Sequence, residues 1–367
     1  MQYQRVRLES LGYILPDEII ASDEIEVRLA PVYERLRLPQ GRLEMMTGIR
    51  ERRFFPADTA PSTVSIASAE QAILASGIDR RQIGALLHGS VCRDFLEPAT
   101  ACSVHHGLGL PADCLVCDIS NACLGLLTGL IQIANMIELG QIRAGVVVGT
   151  ECGRGLVENT IERLNTDTSL SRQDIKLFVA SLTIGSGSVA MLLCDEELSR
   201  THNRVTAASV LAHTTYHELC RSEGLETFMR TDSEQLMNQG IATGAETFTQ
   251  FLRETGWRRD EIDKTICHQV GVAHRKLLFE ALALEGRLDF PTYQMLGNTG
   301  AAALPLTLAL ALEAGHIDTD DRVALLGIGS GINCQMIGLH WQESLVRGLR
   351  NGLPKSQSKV MTSLPQS

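Results

Sequence analysis

Aromatic side chains, basic charge and long apolar runs are all scarce in this chain of 367 residues. Aromatic residues make up only 4%, and a chain rich in small residues suits helices that pack closely on a sheet. The 33 Lys and Arg are outnumbered by 43 Asp and Glu, so the charge of −10 offers no basic field to nucleic acid. No apolar run approaches the ~18 residues of a membrane span. We therefore exclude nucleic-acid binding and a membrane span.

Signals for secretion and for a metal centre are also missing. The first residues, MQYQRVRLESLGYILP, contain no apolar core of a signal peptide, so we expect a cytoplasmic protein. The 10 scattered cysteines are then expected to be reduced thiols. Cys114 and Cys117 have the spacing of half a zinc site, but no second pair matches it. We expect neither a metal nor a bound cofactor.

Two short basic clusters are candidate contacts for an acidic protein partner. They comprise Arg50, Arg52 and Arg53 in one case and Arg258, Arg259 and Lys264 in the other. We expect both clusters to be solvated surface, since short charge clusters usually are.

The chain contains an internal repeat. Residues 71–83 (QAILASGIDRRQI) and 250–262 (QFLRETGWRRDEI) match at Gln, Gly, Arg and Ile at one constant offset. Each copy has the pattern of an amphipathic helix that stops at glycine and is followed by a strand, ALLHGSV or KTICHQV. A repeat of this kind indicates two similar structural units.

A second pair of matching segments lies downstream, at 123–142 and 298–317. Both segments are almost uniformly apolar, which predicts helices buried on every face, and each ends at glycine before a strand. Two strand–helix–strand halves of this kind predict an α/β protein with five layers, α-β-α-β-α, in which two sheets enclose the two central helices.

This organisation predicts three segments. The first half covers 1–195, and an insert that forms a lid or a dimer contact extends to about residue 235. The second half covers 236–342. The last segment, 343–367, loses periodicity, and we expect a short helix and a flexible tail there.

The repeat places Cys123 and Asn298 at equivalent points, the starts of the two buried helices. Free N–H groups and the positive end of the helix dipole lie at such a start, so we expect a lowered pKa for the Cys123 thiol. A structural core cysteine is the ordinary alternative for any one of the ten. The repeat position favours a nucleophile for Cys123.

Two further features complete a candidate site. His268 follows the strand KTIC, at the carboxyl end where α/β sheets place ligands. Together with Asn298 it can donate two hydrogen bonds to one carbonyl oxygen, which stabilises a carbanion beside a thioester. The turn of Gly329, Ser330 and Gly331 lacks the lysine of a phosphate-binding loop, so we assign its backbone N–H groups to oxyanion stabilisation.

These residues resemble the thiolase superfamily, in particular β-ketoacyl-ACP synthase III. The resemblance covers residues 3–341 and rests on Asp118…Cys123, Cys267-His268-Gln269, Gly297-Asn298-Thr299 and the N-terminal signature Met46–Arg53. It implies the five-layered thiolase fold, a homodimer and acyl transfer to Cys123.

Sequence differences separate the branches of this superfamily. Synthases that start from acetyl-CoA have tryptophan where this chain has Arg42, and arginine where it has Met46. The segment SVCRDFLEPAT at 90–100 instead resembles the olefin-biosynthesis thiolases, which join two fatty acyl-CoAs. That resemblance implies that Glu97 reaches across the dimer into the partner's active site. A surface loop charge is the alternative for Glu97.

The sequence therefore predicts an acyltransferase that performs a Claisen condensation through an acylated Cys123, with Glu97 removing an α-proton from a second acyl-CoA. A malonyl donor loses CO2 and needs no base, so a decarboxylative 3-oxoacyl-ACP synthase III that takes malonyl-ACP is the first alternative. The second is a catalytically silent partner with a thiolase fold, although such proteins commonly lose the cysteine, histidine or asparagine. Acyl-chain length and the carrier, CoA or acyl carrier protein, are left open.

Overall fold

The computed structural model describes residues 1–222, 228–268 and 270–350. The strands are β1 (Val6–Leu15), β2 (Glu18–Ala21), β3 (Glu51–Phe54), β4 (Ile83–Gly89), β5 (Leu115–Ile119), β6 (Ala144–Glu151), β7 (Gly187–Asp195), β8 (Arg204–Ala212), β9 (Cys220–Ser222), β10 (Met229–Thr231), β11 (Lys264–Cys267), β12 (Arg322–Gly329), β13 (Asn333–His340) and β14 (Val346–Arg350).

The α-helices are α1 (Ser22–Arg28), α2 (Ala30–Leu36), α3 (Arg42–Thr47), α4 (Pro61–Ser76), α5 (Thr100–Leu108), α6 (Gly125–Glu138), α7 (Arg154–Thr166), α8 (Arg172–Lys176), α9 (Ser233–Thr255), α10 (Val272–Leu282), α11 (Tyr293–Leu296) and α12 (Ala303–Glu313). Short 3₁₀ turns, Ala122–Leu124 and Gly300–Ala302, precede α6 and α12. In the part of the chain that the structure describes, no helix is long and apolar enough to cross a membrane.

The strands divide into two groups that meet at β1. Their order is β11-β12-β13-β8-β1-β7-β6-β4-β5, and β14 pairs with β1. The junction is narrow, because β1 and β8 pair only through Arg7 and Arg204. Each group contains parallel strands, β4 with β5 and β6 in one and β11 with β12 in the other. This arrangement confirms the predicted α/β fold of two similar halves.

The central layer consists of α6 and α12, which share one apolar core with the inner faces of both strand groups. Every residue of α12 from Ala303 to Leu312 is buried. Along β6, Val147 faces this core, whereas Val146 and Val148 face the outer helices α4 and α5. On the other side, α9 and α10 cover β12 and β13. The five layers are therefore as the two apolar segments predicted.

The helix ends in the repeat also match the prediction. Helix α4 ends at Ser76 and α9 ends at Thr255, and each is followed by a glycine in the left-handed region, Gly77 (φ 65) and Gly256 (φ 70). Glycine adopts this conformation without the steric cost that a Cβ would bring. The chain then turns back into β4 or β11 in the same way in both halves.

Two expectations about the segment boundaries are wrong. Strand β8 lies between β13 and β1, so residues 204–212 belong to the sheet of the second half rather than to an insert. Residues 346–350 form β14, parallel to β1, where a short helix was expected. The flexible tail predicted beyond residue 350 lies outside the described residues.

One basic cluster is not solvated surface. Arg52 and Arg53 are buried, and only Arg50 of this cluster is exposed. The Arg52 guanidinium donates to the carbonyl of Leu182 at 3.2 Å, and burial lowers the pKa of Arg52 to about 10. Both arginines therefore stabilise the interior and are unavailable to an acidic partner.

Candidate active site

Cys123 lies in the 3₁₀ turn between β5 and α6. The residue before it, Ala122, has a positive φ of 42, which bends the chain sharply at this point. Helix α6 begins at Gly125, whose backbone approaches Gly89 so closely that a Cβ on Gly125 would lie 2.9 Å from the Gly89 carbonyl carbon. The turn thus presents the thiol at the carboxyl end of the sheet.

The pKa of the Cys123 thiol is raised to about 12, mainly by burial and secondarily by Cys220 and Glu151. The expectation of a lowered pKa at the helix start is therefore wrong. The thiol stands before the first helical residue, in surroundings that disfavour its charged form. Cys123 is therefore a neutral thiol at neutral pH.

Asn298 is held by its backbone and by its own side chain. Its N–H donates to the carbonyl of Thr183 at 2.9 Å, and its carbonyl accepts from Gly185 N–H at 2.9 Å. Oδ1 accepts from Gly300 N–H at 3.0 Å. Because Oδ1 has this partner, the amide nitrogen is the end available to donate a hydrogen bond to a substrate.

The 3₁₀ turns that carry Cys123 and lead from Asn298 contact each other, so the structure brings the two helix starts together. His268 directly follows β11, and its N–H donates to Leu326 of the neighbouring strand β12 at 3.0 Å. Three residues later β12 ends at Gly329, beside Cys123. The pairing of β11 with β12 thus places His268 at the end of the sheet where Cys123 lies.

His268 is a neutral imidazole. Its side chain is 3% exposed, and its pKa is lowered to about 3, mainly by burial and further by His274. Among the described residues, none hydrogen-bonds its Nδ1. A neutral imidazole can donate one hydrogen bond and accept another, which suits contact with a thioester carbonyl.

The glycine turn after β12 packs directly on the nucleophile. A Cβ on Gly329 would lie 3.0 Å from Leu124 Cγ and 3.7 Å from Cys123 Cβ. Asn333 Nδ2 donates to Asn121 Oδ1 at 3.1 Å and to the carbonyl of Ser330 at 3.4 Å. These bonds tie the turn to the segment just before Cys123.

Sequence reasoning missed Asn121, Asn333 and a buried carboxylate, Glu151. Glu151 is the last residue of β6, is 6% exposed and interacts electrostatically with Cys123. The repeat contained a signal for Glu151. Strands β6 and β12 are equivalent in the two halves, and Gly329 at the end of β12 was identified as a site residue, so the residue at the end of β6 was a candidate as well.

Glu97 makes no polar contact with the other candidate residues within the described part of its own chain. It is exposed, in the loop between β4 and α5. Among the residues that the structure describes, no hydrogen bond or ion pair joins Glu97 to Cys123, His268 or Asn298.

Two protein-family models and a curated relative match this chain. The thiolase N-terminal domain model matches residues 45–153, and the C-terminal domain model of 3-oxoacyl-[acyl-carrier-protein] synthase III matches 252–341. The chain is 43% identical over 352 residues to the acyl-CoA:acyl-CoA alkyltransferase of Shewanella oneidensis, which covers 93% of this chain and 100% of the relative. The chain belongs to the acyl-CoA:acyl-CoA alkyltransferase family. It is an acyltransferase with a thiolase fold, as the sequence predicted.

Other relatives support this placement within the superfamily. A crystal structure of OleA from Xanthomonas campestris superposes on this chain with a TM-score of 0.89 at 32% identity, covering 93% of this chain and 100% of that one. Related OleA structures carry substitutions of a cysteine, a histidine or a glutamate, or contain cerulenin or lauroyl-CoA. The β-ketoacyl-[acyl-carrier-protein] synthase III of Geobacillus kaustophilus is 24% identical, with 90% of this chain and 97% of the relative covered.

Proposed function

We propose that this alkyltransferase joins two fatty acyl-CoA molecules by a non-decarboxylative Claisen condensation, with Cys123 as nucleophile. The observation that carries the proposal is the contact between the two 3₁₀ turns at the starts of α6 and α12. That contact unites a thiol and an amide donor at one point of the core. A buried, neutral histidine at the end of β11 supplies the second donor.

In the first half-reaction the sulfur of Cys123 attacks the thioester carbonyl of the first acyl-CoA. The backbone N–H groups of Cys123 and of the Gly329–Gly331 turn stabilise the oxyanion. The carbon–sulfur bond to CoA breaks, and the proton of the Cys123 thiol leaves with CoA as its free thiol. An acyl group remains on Cys123.

In the second half-reaction the carbonyl of another acyl-CoA accepts hydrogen bonds from His268 and Asn298. Glu97 of a second copy of the chain removes the α-proton, because a donor without a carboxylate to lose requires a base. The α-carbon attacks the acyl group on Cys123, and the bond from carbon to the Cys123 sulfur breaks. The departing thiolate recovers a proton as Glu97 gives up the one that it removed. The product is a 2-alkyl-3-oxoacyl-CoA.

A homodimer supplies Glu97 in this proposal. Four large apolar side chains stand exposed around the Glu97 loop and the edge strand β5: Val91, Phe95, Leu96 and Leu115. Within the described residues, β5 pairs with β4 alone, so its other edge is open to another strand. An apolar patch beside an open edge fits a second copy of the same surface.

The relatives support the assignment of these residues. In the Xanthomonas campestris protein the substituted glutamate precedes the substituted cysteine by the same number of residues as Glu97 precedes Cys123. The lauroyl-CoA bound in one of those structures is a fatty acyl-CoA. The matching spacing favours Glu97 as the base, and the bound lauroyl-CoA favours acyl-CoA over an acyl carrier protein for at least one substrate.

The reaction is tested by product mass. Incubation with one ¹³C-labelled fatty acyl-CoA should yield a product that contains two acyl chains and no released CO2. Malonyl-ACP, supplied in a parallel reaction, should not be consumed. Release of CO2 from malonyl-ACP, with no two-chain product from acyl-CoA, would show decarboxylative synthase activity and contradict the proposal.

The dimer role of Glu97 is tested by mixing inactive subunits. Cys123→Ala and Glu97→Ala homodimers should each be inactive. After unfolding and refolding together, mixed dimers contain one site with an intact Cys123 and the partner's intact Glu97. Random pairing should restore about a quarter of the wild-type rate. A mixture without activity would mean that Glu97 does not act across the dimer.

A further inference from the structure

Glu151 occupies a buried position that the proposed chemistry does not use. Its Oε1 accepts a hydrogen bond from Val91 N–H at 3.2 Å and another from Ala301 N–H at 3.2 Å. Burial raises the pKa of Glu151, and the neighbouring Ser90 and Cys92 side chains oppose that shift. A buried carboxylate persists only when such donors compensate for its lost hydration.

The two backbone donors belong to two separate functional segments. Val91 is the second residue of the loop that leads to Glu97, whereas Ala301 lies in the 3₁₀ turn next to Asn298. Glu151 itself ends a core strand. One carboxylate therefore connects the loop of the proposed base, the turn of the proposed amide donor and the sheet.

Gly300 makes this connection possible. A Cβ on Gly300 would lie 3.0 Å from Glu151 Cδ, closer than nine in ten real Cβ contacts. The backbone there has a φ of 55, which glycine adopts without strain. The turn can approach the carboxylate only because this position has no side chain.

Glu151 and Gly329 occupy equivalent positions in the two halves of the repeat. Strands β6 and β12 each contain eight residues, and these two residues end them. Gly329 packs against the helix start that carries Cys123, and Glu151 packs against the start that follows Asn298. Equivalent strand ends thus pack against the two helix starts. At the end of β12 the contact is made by the glycine backbone, and at the end of β6 it is made by a carboxylate.

The carboxylate is also an electrostatic neighbour of the nucleophile. Glu151 is among the groups that raise the pKa of the Cys123 thiol, after burial and Cys220. A negative charge near a thiol disfavours a second negative charge on sulfur. Any change of charge at Glu151 should therefore alter the reactivity of Cys123.

We propose that Glu151 is a positioning residue: it fixes the Asn298 turn and the start of the Glu97 loop in the geometry that the second acyl thioester requires. This inference rests on the proposed condensation. The acylation of Cys123 needs neither segment, so it should depend little on how Glu151 positions them. Carbanion formation needs both, so it should depend strongly.

Two substitutions of Glu151 test the length of its side chain and its charge separately. Glu151→Asp keeps the charge and shortens the side chain, so it should leave acylation of Cys123 within a few-fold of wild type. Condensation should fall about 100-fold, the usual consequence of a displacement near 1 Å. Glu151→Gln keeps an oxygen for both backbone donors and removes the ionisable group, so iodoacetamide should alkylate Cys123 faster than in wild type at pH 8.

Glu162→Gln, an exposed change on α7, is the matched control and should alter none of the three rates. If Glu151→Asp condenses at the wild-type rate, or lowers acylation and condensation equally, the positioning role is wrong. If Glu151→Gln alkylates at the wild-type rate, the carboxylate is not a charged neighbour of Cys123, and the inference also fails. Alkylation requires no acyl substrate, so it tests Glu151 independently of the proposed condensation. If the proposed condensation itself is wrong, wild-type enzyme will form no two-chain product from acyl-CoA.

Discussion

The amide side chain of Asn298 is oriented by Gly300, whose backbone N–H donates to Oδ1 at 3.0 Å. This bond assigns the acceptor end of the amide to the protein. The donor end is therefore left for the carbonyl of the second thioester in the proposed reaction. The chain uses the first residue of a helix-initiating turn to set the direction of a side chain.

Substitution of Asn298 should separate the two half-reactions. Asn298→Asp keeps an oxygen for Gly300 N–H but loses the donor, so condensation should fall about 100- to 1,000-fold. Acylation of Cys123 should persist, measured as an acyl mass increment on the intact protein. Loss of the acyl-enzyme in this variant would place Asn298 in the first half-reaction instead.

The alkylation of Cys123 should accelerate steadily with pH. Since the thiol pKa is raised to about 12, the thiolate fraction increases about tenfold per pH unit from pH 7 to pH 10. Iodoacetamide labelling of the Cys123 peptide, measured by mass spectrometry, should follow this slope. Cys102, an exposed thiol in the same chain, provides an internal comparison. A plateau for Cys123 below pH 8 would mean that the helix start dominates over burial.

A methyl group on Gly329 should damage catalysis more than stability. Gly329→Ala places a carbon 3.0 Å from Leu124 Cγ and 3.7 Å from Cys123 Cβ, so the turn or the nucleophile must shift. We expect the acylation rate to fall about tenfold or more. Gly155→Ala, at the start of α7 with no atom near the added carbon, should instead stabilise the fold by about 0.5–1 kcal/mol. Equal acylation rates in both variants would contradict the packing.

His274 should contribute to acid sensitivity. It is buried on α10, and its pKa is lowered to about 4 by burial, whereas an unfolded histidine titrates near 6.5. Below pH 6.5 the unfolded chain binds a proton that the folded chain excludes, so stability is lost as pH falls toward 4. The loss from this residue between pH 7 and pH 5 is about 2 kcal/mol.

Urea unfolding at the two pH values measures this contribution of His274. His274→Gln should lose about 2 kcal/mol less than wild type over the interval. His202→Gln, an exposed histidine, should behave as wild type. An unchanged pH dependence in His274→Gln would show that the buried imidazole does not titrate on unfolding.

Repeated patterns explain why much of the fold was predictable. The apolar segments of α6 and α12, with glycine stops at matching positions, indicate buried helices from local sequence alone. Strand β8 was missed because its membership of a sheet depends on pairing with β13, more than a hundred residues away. Strand β14 was missed for a similar reason, since its pairing with β1 joins the two ends of the chain.

Charge and burial were harder to predict than position. Arg52 and Arg53 look like surface residues because the sequence does not show the carbonyls of Leu182 and Pro16 that receive them. The pKa of Cys123 was predicted in the wrong direction, because helix position is visible in the sequence whereas the enclosing groups are not. Glu151 escaped notice for the same reason.

The sequence by itself determined the two-half α/β architecture and the equivalence of Cys123 and Asn298, because a repeated pattern of apolar residues and glycines is a local property. Only the tertiary structure decided how the site is held together and charged. The carboxylate of Glu151, the neutral state of Cys123 and His268, and the close approach of Gly329 all depend on atoms from distant segments. Desolvation and hydrogen bonding between such segments exist only in the packed molecule.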